Sequence, residues 1–169
     1  MTDPIVRPMT VEDRAAVIEL LADSDPWKRL AYRSGDWDGY FTPLPQGRDS
    51  YVVDQNGRVA GIGVVRQKFL LGDYVELFGV ADWTRDKGLG SLLLAYIEAV
   101  VFARVKNLFA CVSDFNDHAR HFYKKQGYLE IGPMPNFLIP GSAEILLRKT
   151  SGPARERSSI VLGHSSMAS

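Results

Sequence analysis

The sequence predicts an α+β domain with a central mixed, mostly antiparallel sheet flanked by helices. Three observations carry this. Short runs rich in β-branched and aromatic residues are punctuated by Asn56-Gly57 and Leu71-Gly72-Asp73, the turn chemistry of antiparallel hairpins. A long helical pattern over residues 88–105 lies between strand-like runs at 74–80 and 108–112, which implies one parallel crossover. Two last runs, 128–131 and 143–148, read as a closing strand pair.

Each element has a local reason. Ile5 to Met9 is a short strand. Thr10, with Asp13 three residues later, caps a helix over residues 11–21 that Asp25-Pro26 should end. Residues 26–41 are aromatic-rich and read as helical in pieces, and 42–49 as a loop with two prolines and a glycine. Residues 51–54 and 59–69 form the hairpin around Asn56-Gly57, with Gly61 and Gly63 marking expected bulges. In the long helix, Leu89, Leu92, Leu93, Tyr96, Ile97, Val100 and Val101 recur at spacings of three and four, one face wide enough to cover a sheet. Residues 116–126 are a shorter helix stopped by Gly127, and 132–142 a connection with three prolines. Residues 1–150 read as one domain, and the Ser-, Gly- and Arg-containing residues 151–169 as a mobile tail or docking segment.

Composition narrows the function. The 169 residues are 46% hydrophobic and 24% charged, ordinary for a globular domain with a substantial core. Twenty basic residues balance twenty acidic ones, so bulk nucleic-acid binding is not expected and any anion site must be local. Cys111 is the only cysteine and lies in an apolar run, which excludes an internal disulfide and favours a buried, inert thiol. Thr2-Asp3-Pro4 does not begin a signal peptide, and no apolar run is long enough to span a membrane, so a cytoplasmic location without membrane association is the default.

The most informative stretch is Arg85-Asp86-Lys87-Gly88-Leu89-Gly90-Ser91, which opens the long helix. Glycines let backbone approach a ligand closely, and the first helical turn offers unpaired N–H groups at a positive dipole end. Phosphate or pyrophosphate suits such a place, although a glycine-opened helix is also ordinary helix-start chemistry. Some 25 residues on, Asn116-x-x-Ala119-x-x-Phe122-Tyr123-x-x-x-Gly127-Tyr128 follows. In this order and separation the two motifs resemble those of the Gcn5-related N-acetyltransferase (GNAT) family, over roughly residues 5–150.

The resemblance implies an enzyme that uses acetyl-CoA to acetylate a primary amine directly, with no acyl-enzyme. It implies a pyrophosphate loop at Arg85, Asp86, Lys87, Gly88, Leu89, Gly90 and Ser91, and a pantetheine arm along Phe78, Gly79 and Val80 with an amide contact from Asn116. Asn116 is equally a helix N-cap. It also implies that Tyr123, near the cofactor sulfur, protonates the departing thiolate, and that Glu76 removes a proton from the amine through water. Strand alternation puts Glu76, Phe78 and Val80 on one face, and a salt bridge is the other reading of Glu76. Trp27, Tyr32, Asp114 and Phe137 are the expected acceptor walls, where acidic and aromatic groups would suit a cationic small-molecule or peptide amine. His118 and His121 lack a third ligand, so no metal is expected. Family members often dimerise, so the resemblance also allows a homodimer. The rival reading is a non-catalytic acyl-CoA-binding or regulatory domain.

Overall fold

In the computed structural model, which describes residues 2–155, the chain runs β1 (Ile5–Pro8), a 3-10 turn (Val11–Asp13), α1 (Arg14–Ala22), α2 (Ser34–Phe41), β2 (Arg48–Gln55), β3 (Arg58–Phe69), β4 (Gly72–Val80), a second 3-10 turn (Asp82–Thr84), α3 (Leu89–Phe102), β5 (Asn107–Ser113), α4 (Asp117–Lys125), β6 (Leu129–Pro135) and β7 (Ala143–Thr150). The strands join in one sheet of order β1-β2-β3-β4-β5-β7-β6. Among the described residues only the β4–β5 pair is parallel. The tail expected at 151–169 is described only to residue 155; the remainder lies outside the described residues.

Local chemistry sets the element ends. Asn56 and Gly57 take φ of 56° and 76°, the left-handed pair that folds β2 onto β3. Thr10 N–H donates to Asp13 Oδ2 at 2.9 Å, so the first helix opens as a 3-10 turn before α1 begins. Between residues 25 and 33 the chain makes turns, and only Ser34–Phe41 of the aromatic stretch is α-helical. Asn116 Oδ1 accepts from Ala119 N–H at 3.1 Å and starts α4, and Gly127 with φ of 91° follows its end. No helix among the described residues is long and apolar enough to cross a membrane.

Two cores sandwich the sheet. On one face α3 and α4 bury Leu89, Leu93, Leu94, Ile97, Val101 and Tyr123 against Val65, Val75, Ala110, Val112, Ile145 and Leu147. Each fully buried aliphatic side chain contributes about 1.5–3 kcal/mol. Leu94, not the expected Leu92, completes the inner stripe of α3; Leu92 is 38% exposed. On the other face α1 and α2 bury Val17, Leu21, Trp37 and Phe41 against Val52, Ile62, Val64 and Leu77.

The bulges do not fall at Gly61 and Gly63. Pairing of Val53 with Gly61 and Asp54 with Val59 leaves Ala60 as one extra residue. Pairing of Val64 with Leu77 and Val65 with Val75 leaves Glu76 as an extra residue on β4. Gly63 instead gives α3 room, since a Cβ there would meet Ile97 Cδ1 at 2.6 Å, whereas a Cβ on Gly61 would meet the Gly79 carbonyl and Val53 Cγ2 at 3.2 Å.

The bulge has a long-range consequence. β4 and β5 pair only at Asp73–Leu108, Tyr74–Phe109 and Val75–Ala110. Beyond Val75 they part, because the extra residue bends β4. Glu76 to Val80 and Cys111 to Ser113 become the arms of a V, and along its inner side β4 backbone has no strand partner.

Candidate active site

The V opens into a cavity of about 970 Å³. Most residues expected at a cofactor site line it: Phe78, Gly79 and Val80 on one arm, Arg85, Asp86, Gly88, Leu89, Gly90 and Ser91 at its end, and Asn116 and Tyr123 from α4. Glu76, Trp27, Tyr32 and Phe137 line it as well. Lys87 and Asp114 do not. Lys87 Nζ lies 5.9 Å over the Trp83 ring, and the Asp114 carboxylate is occupied by Ser142 Oγ at 2.8 Å and Ala143 N–H at 3.0 Å.

The loop end is built for close approach. Thr84 is buried and its Oγ1 donates to the Ala81 carbonyl at 2.7 Å, which fixes the turn. Asp86 and Gly88 take φ of 61° and 74°. The Gly88 carbonyl receives the first helical bond, from Leu92 N–H, so the N–H groups of Leu89, Gly90 and Ser91 precede the ladder. A Cβ on Gly90 would find protein atoms no nearer than 3.5 Å, so the protein's own packing does not require glycine there. Ser91 Oγ accepts from Gln126 Nε2 at 2.9 Å, tying α3 to the end of α4. Arg85 pairs with Asp82 at 2.8 Å on the surface, its side chain 61% exposed.

Tyr123 lies within a cluster of rings, 6.1 Å from Phe78, 5.3 Å from Phe122 and 5.1 Å from Tyr128. Burial, with Cys111 and Glu98 nearby, pushes its hydroxyl far above the ordinary tyrosine value, so it stays protonated.

Glu76 sits on the other side of the sheet. Strand alternation alone puts it on one face with Phe78 and Val80, and the bulge breaks that pattern. Phe78 and Val80 pack with the α3 and α4 core, whereas Glu76 Oε2 accepts from Tyr40 Oη of α2 at 2.7 Å. Arg48 and Arg66 both pair with Glu76. Burial pushes its carboxyl up, but the hydrogen bonds from Arg48, Tyr40 and Arg66 outweigh it and hold the group below its ordinary value.

Aromatic rings wall this second side. Trp27 meets Trp37 edge-on at 5.8 Å, and Tyr32 stacks on Trp37 at 5.1 Å. A Cβ on Gly79 would lie 2.9 Å from Trp27 Cη2, so the glycine makes room for that ring.

Sequence reading misses the far arm. Cys111 and Ser113 of β5 and Glu144 of β7 line the cavity on the face opposite Ala110, Val112, Ile145 and Leu147. Cys111 is half-buried rather than enclosed, and burial raises its thiol against a hydrogen bond with Tyr74. Glu144 is only 6% exposed, and Ser113 Oγ donates to its Oε1 at 2.6 Å.

Residues 14–128 match the model of the acetyltransferase (GNAT) family. No curated protein matches in sequence. The fold is similar to that of the Escherichia coli ribosomal-protein-S18-alanine N-acetyltransferase, with a TM-score of 0.76 at 17% identity over 92% of this chain and 98% of that one. It is similar to Ard1 from Thermoplasma volcanium, with a TM-score of 0.76 at 20% identity over 90% and 100%. It is also similar to an aminoglycoside 6'-N-acetyltransferase complexed with coenzyme A, with a TM-score of 0.72 at 16% identity over 90% and 99%.

Proposed function

This chain belongs to the acetyltransferase (GNAT) family, whose cosubstrate is acetyl-CoA, and from that premise we propose that it acetylates a primary amine of a small molecule or peptide by direct attack on the thioester. The splay of β4 from β5 beyond Val75, ending on the loop at Arg85 to Ser91, is the observation that carries this reading.

The residues present fit the cosubstrate. The N–H groups of Leu89, Gly90 and Ser91 suit a diphosphate, and the absent side chains of Gly88 and Gly90 leave it room. The unpartnered backbone from Glu76 to Val80 suits the amides of a pantetheine arm. Asn116 spends its Oδ1 on Ala119, which leaves its Nδ2 to donate. Arg85 would reach the phosphates only by leaving Asp82. When bound, acetyl-CoA supplies an activated acyl carbon and a thiolate leaving group.

Tyr123 holds its proton at working pH and lines the cavity, which suits it to protonate the departing sulfur. The family resemblance implies Glu76 as the proton acceptor. With two guanidinium partners and a low pKa it accepts protons poorly, so we assign it instead to holding the bulge and α2 in place. Trp27, Tyr32 and Phe137 form the acceptor walls.

The test is acetyl-CoA binding by calorimetry alongside release of free CoA over a panel of amines. Micromolar binding with turnover on at least one amine is expected. Binding with no turnover on any amine would favour the non-catalytic, acyl-CoA-binding reading.

A further inference from the structure

Two carboxylates line the cavity, one on the β4 arm of the V and one on β7 beside the β5 arm. Glu76 on β4 is already matched by Arg48 and Arg66. Glu144 on β7 is not: among the described residues its side chain has one hydrogen-bond partner, the neutral Ser113 hydroxyl, and no ion pair. Among the described residues no cation pairs with it or acts on its charge. From β4 comes Tyr74, from β5 Cys111 and Ser113, from the following loop Asp114, and beside it on β6 lies Met134. A carboxylate that is more than nine-tenths buried without a cation is costly unless something else in its working cycle offsets the cost.

We infer that Glu144 is the site at which the acceptor's ammonium group is anchored and deprotonated. This rests on the transferase reading above. An ammonium placed between the arms is drawn to the carboxylate that lacks a counter-charge, and the aromatic walls of Trp27, Tyr32 and Tyr40 suit the same cation. Glu144 takes one proton from the ammonium, leaving a neutral amine with a free lone pair. That amine forms the C–N bond as the C–S bond breaks. The departing sulfur takes a proton from Tyr123, the nitrogen's surplus proton restores Tyr123, and the proton on Glu144 returns to solvent. Burial, with Asp114 adding to it, raises the Glu144 carboxyl against the Ser113 hydrogen bond, which makes it a better base than Glu76.

The test compares Glu144→Gln, Glu76→Gln and Ser113→Ala in the full chain with spermidine, L-lysine and the dipeptide Ala-Ala. Acetyl-CoA binding and melting temperature are measured for each. For Glu144→Gln, kcat/KM at pH 7 should fall by about 100-fold or more. The deficit should close as the pH nears about 10, where the amine loses its own proton. Acetyl-CoA affinity should hold. The melting temperature at pH 7 should equal or exceed that of the parent, because a carboxyl whose folded pKa is raised favours the protonated state and costs stability once ionised. Ser113→Ala should move the ascending limb of the pH profile to higher pH. The inference is overturned if Glu144→Gln keeps parental kcat/KM, if its deficit is the same at every pH, if lost activity comes with a lower melting temperature, or if Glu76→Gln removes the ascending limb instead. A parent protein that binds acetyl-CoA but acetylates none of these amines would count against the transferase reading itself.

Discussion

Tyr40 Oη donates a 2.7 Å hydrogen bond to Glu76 Oε2, and so joins the last turn of α2 to the residue of β4 that the register shift between Val64 and Val65 leaves without a partner on β3. The V depends on this joint. A bulge left to itself can slip, and a slip would move Phe78 and Val80 off the face they share with α4. Arg48 and Arg66 hold the same carboxylate from β2 and β3, so three elements fix where β4 begins to leave β5.

Glu76→Gln should therefore lower stability more than it slows chemistry. The folded carboxyl is held below its ordinary 4.5, so its ionised form adds stability above that value, and the gain is lost as pH falls through the folded pKa. The variant should melt lower than the parent at pH 7, and the gap should narrow as the pH falls below 4.5 and through the folded pKa. Thermal unfolding across pH checks this, and its kcat should fall less than that of Tyr123→Phe.

Tyr123→Phe removes the proposed acid and leaves the ring cluster intact. Turnover should drop by a factor of roughly 10 to 1,000, as for loss of one acid–base group, with acetyl-CoA affinity preserved. Because the hydroxyl is held well above its ordinary value, the parent should show no alkaline decline from this group in the usual working range. Steady-state kinetics across pH together with calorimetry decide it; unchanged turnover would remove Tyr123 from the chemistry.

Signals within one element were readable from sequence. Residue spacing gave α3, Asn116 and Gly127 bounded α4, and glycines at fixed offsets marked the loop before α3. What escaped depends on pairing between elements. The face of Glu76 follows from a register shift between β3 and β4, and alternation within β4 cannot reveal it. Glu144 reads as one more polar residue on a closing strand; it is buried on an interior strand, between Ser113 of β5 and Met134 of β6. The packing of Trp27 on Gly79 is hidden for the same reason, the two residues being 52 positions apart in sequence.

Gly79→Ala tests that packing. The added methyl would sit 2.9 Å from Trp27 Cη2 and 3.1 Å from Cζ3, so the indole must move. Overpacking of this kind costs about 1–3 kcal/mol. Displacing one acceptor wall should raise KM for the amine by roughly 10-fold, on the scale of one misplaced methylene in a pocket. KM for acetyl-CoA should change much less, and kinetics with each substrate varied in turn separate the two effects.

Gly90→Ala separates the demands of the fold from those of the ligand. At Gly88 any side chain must adopt a φ of 74°, so loss of function there would not distinguish strain from blocked binding. At Gly90, in the first turn of α3, a Cβ meets Phe122 and Val80 only at ordinary contact distance. Alanine should therefore strengthen the helix by about 0.5–1 kcal/mol, visible as a higher melting temperature. The same methyl would stand where the proposed diphosphate site needs close approach to backbone N–H groups. Loss of one charge-assisted hydrogen bond, about 1.5–3 kcal/mol, corresponds to acetyl-CoA binding weakened by roughly 10- to 100-fold. A protein that becomes more stable and binds its cosubstrate less well is the expected pair of results, read by thermal unfolding and calorimetry. Undiminished affinity in the stabilised variant would place the diphosphate away from the start of α3.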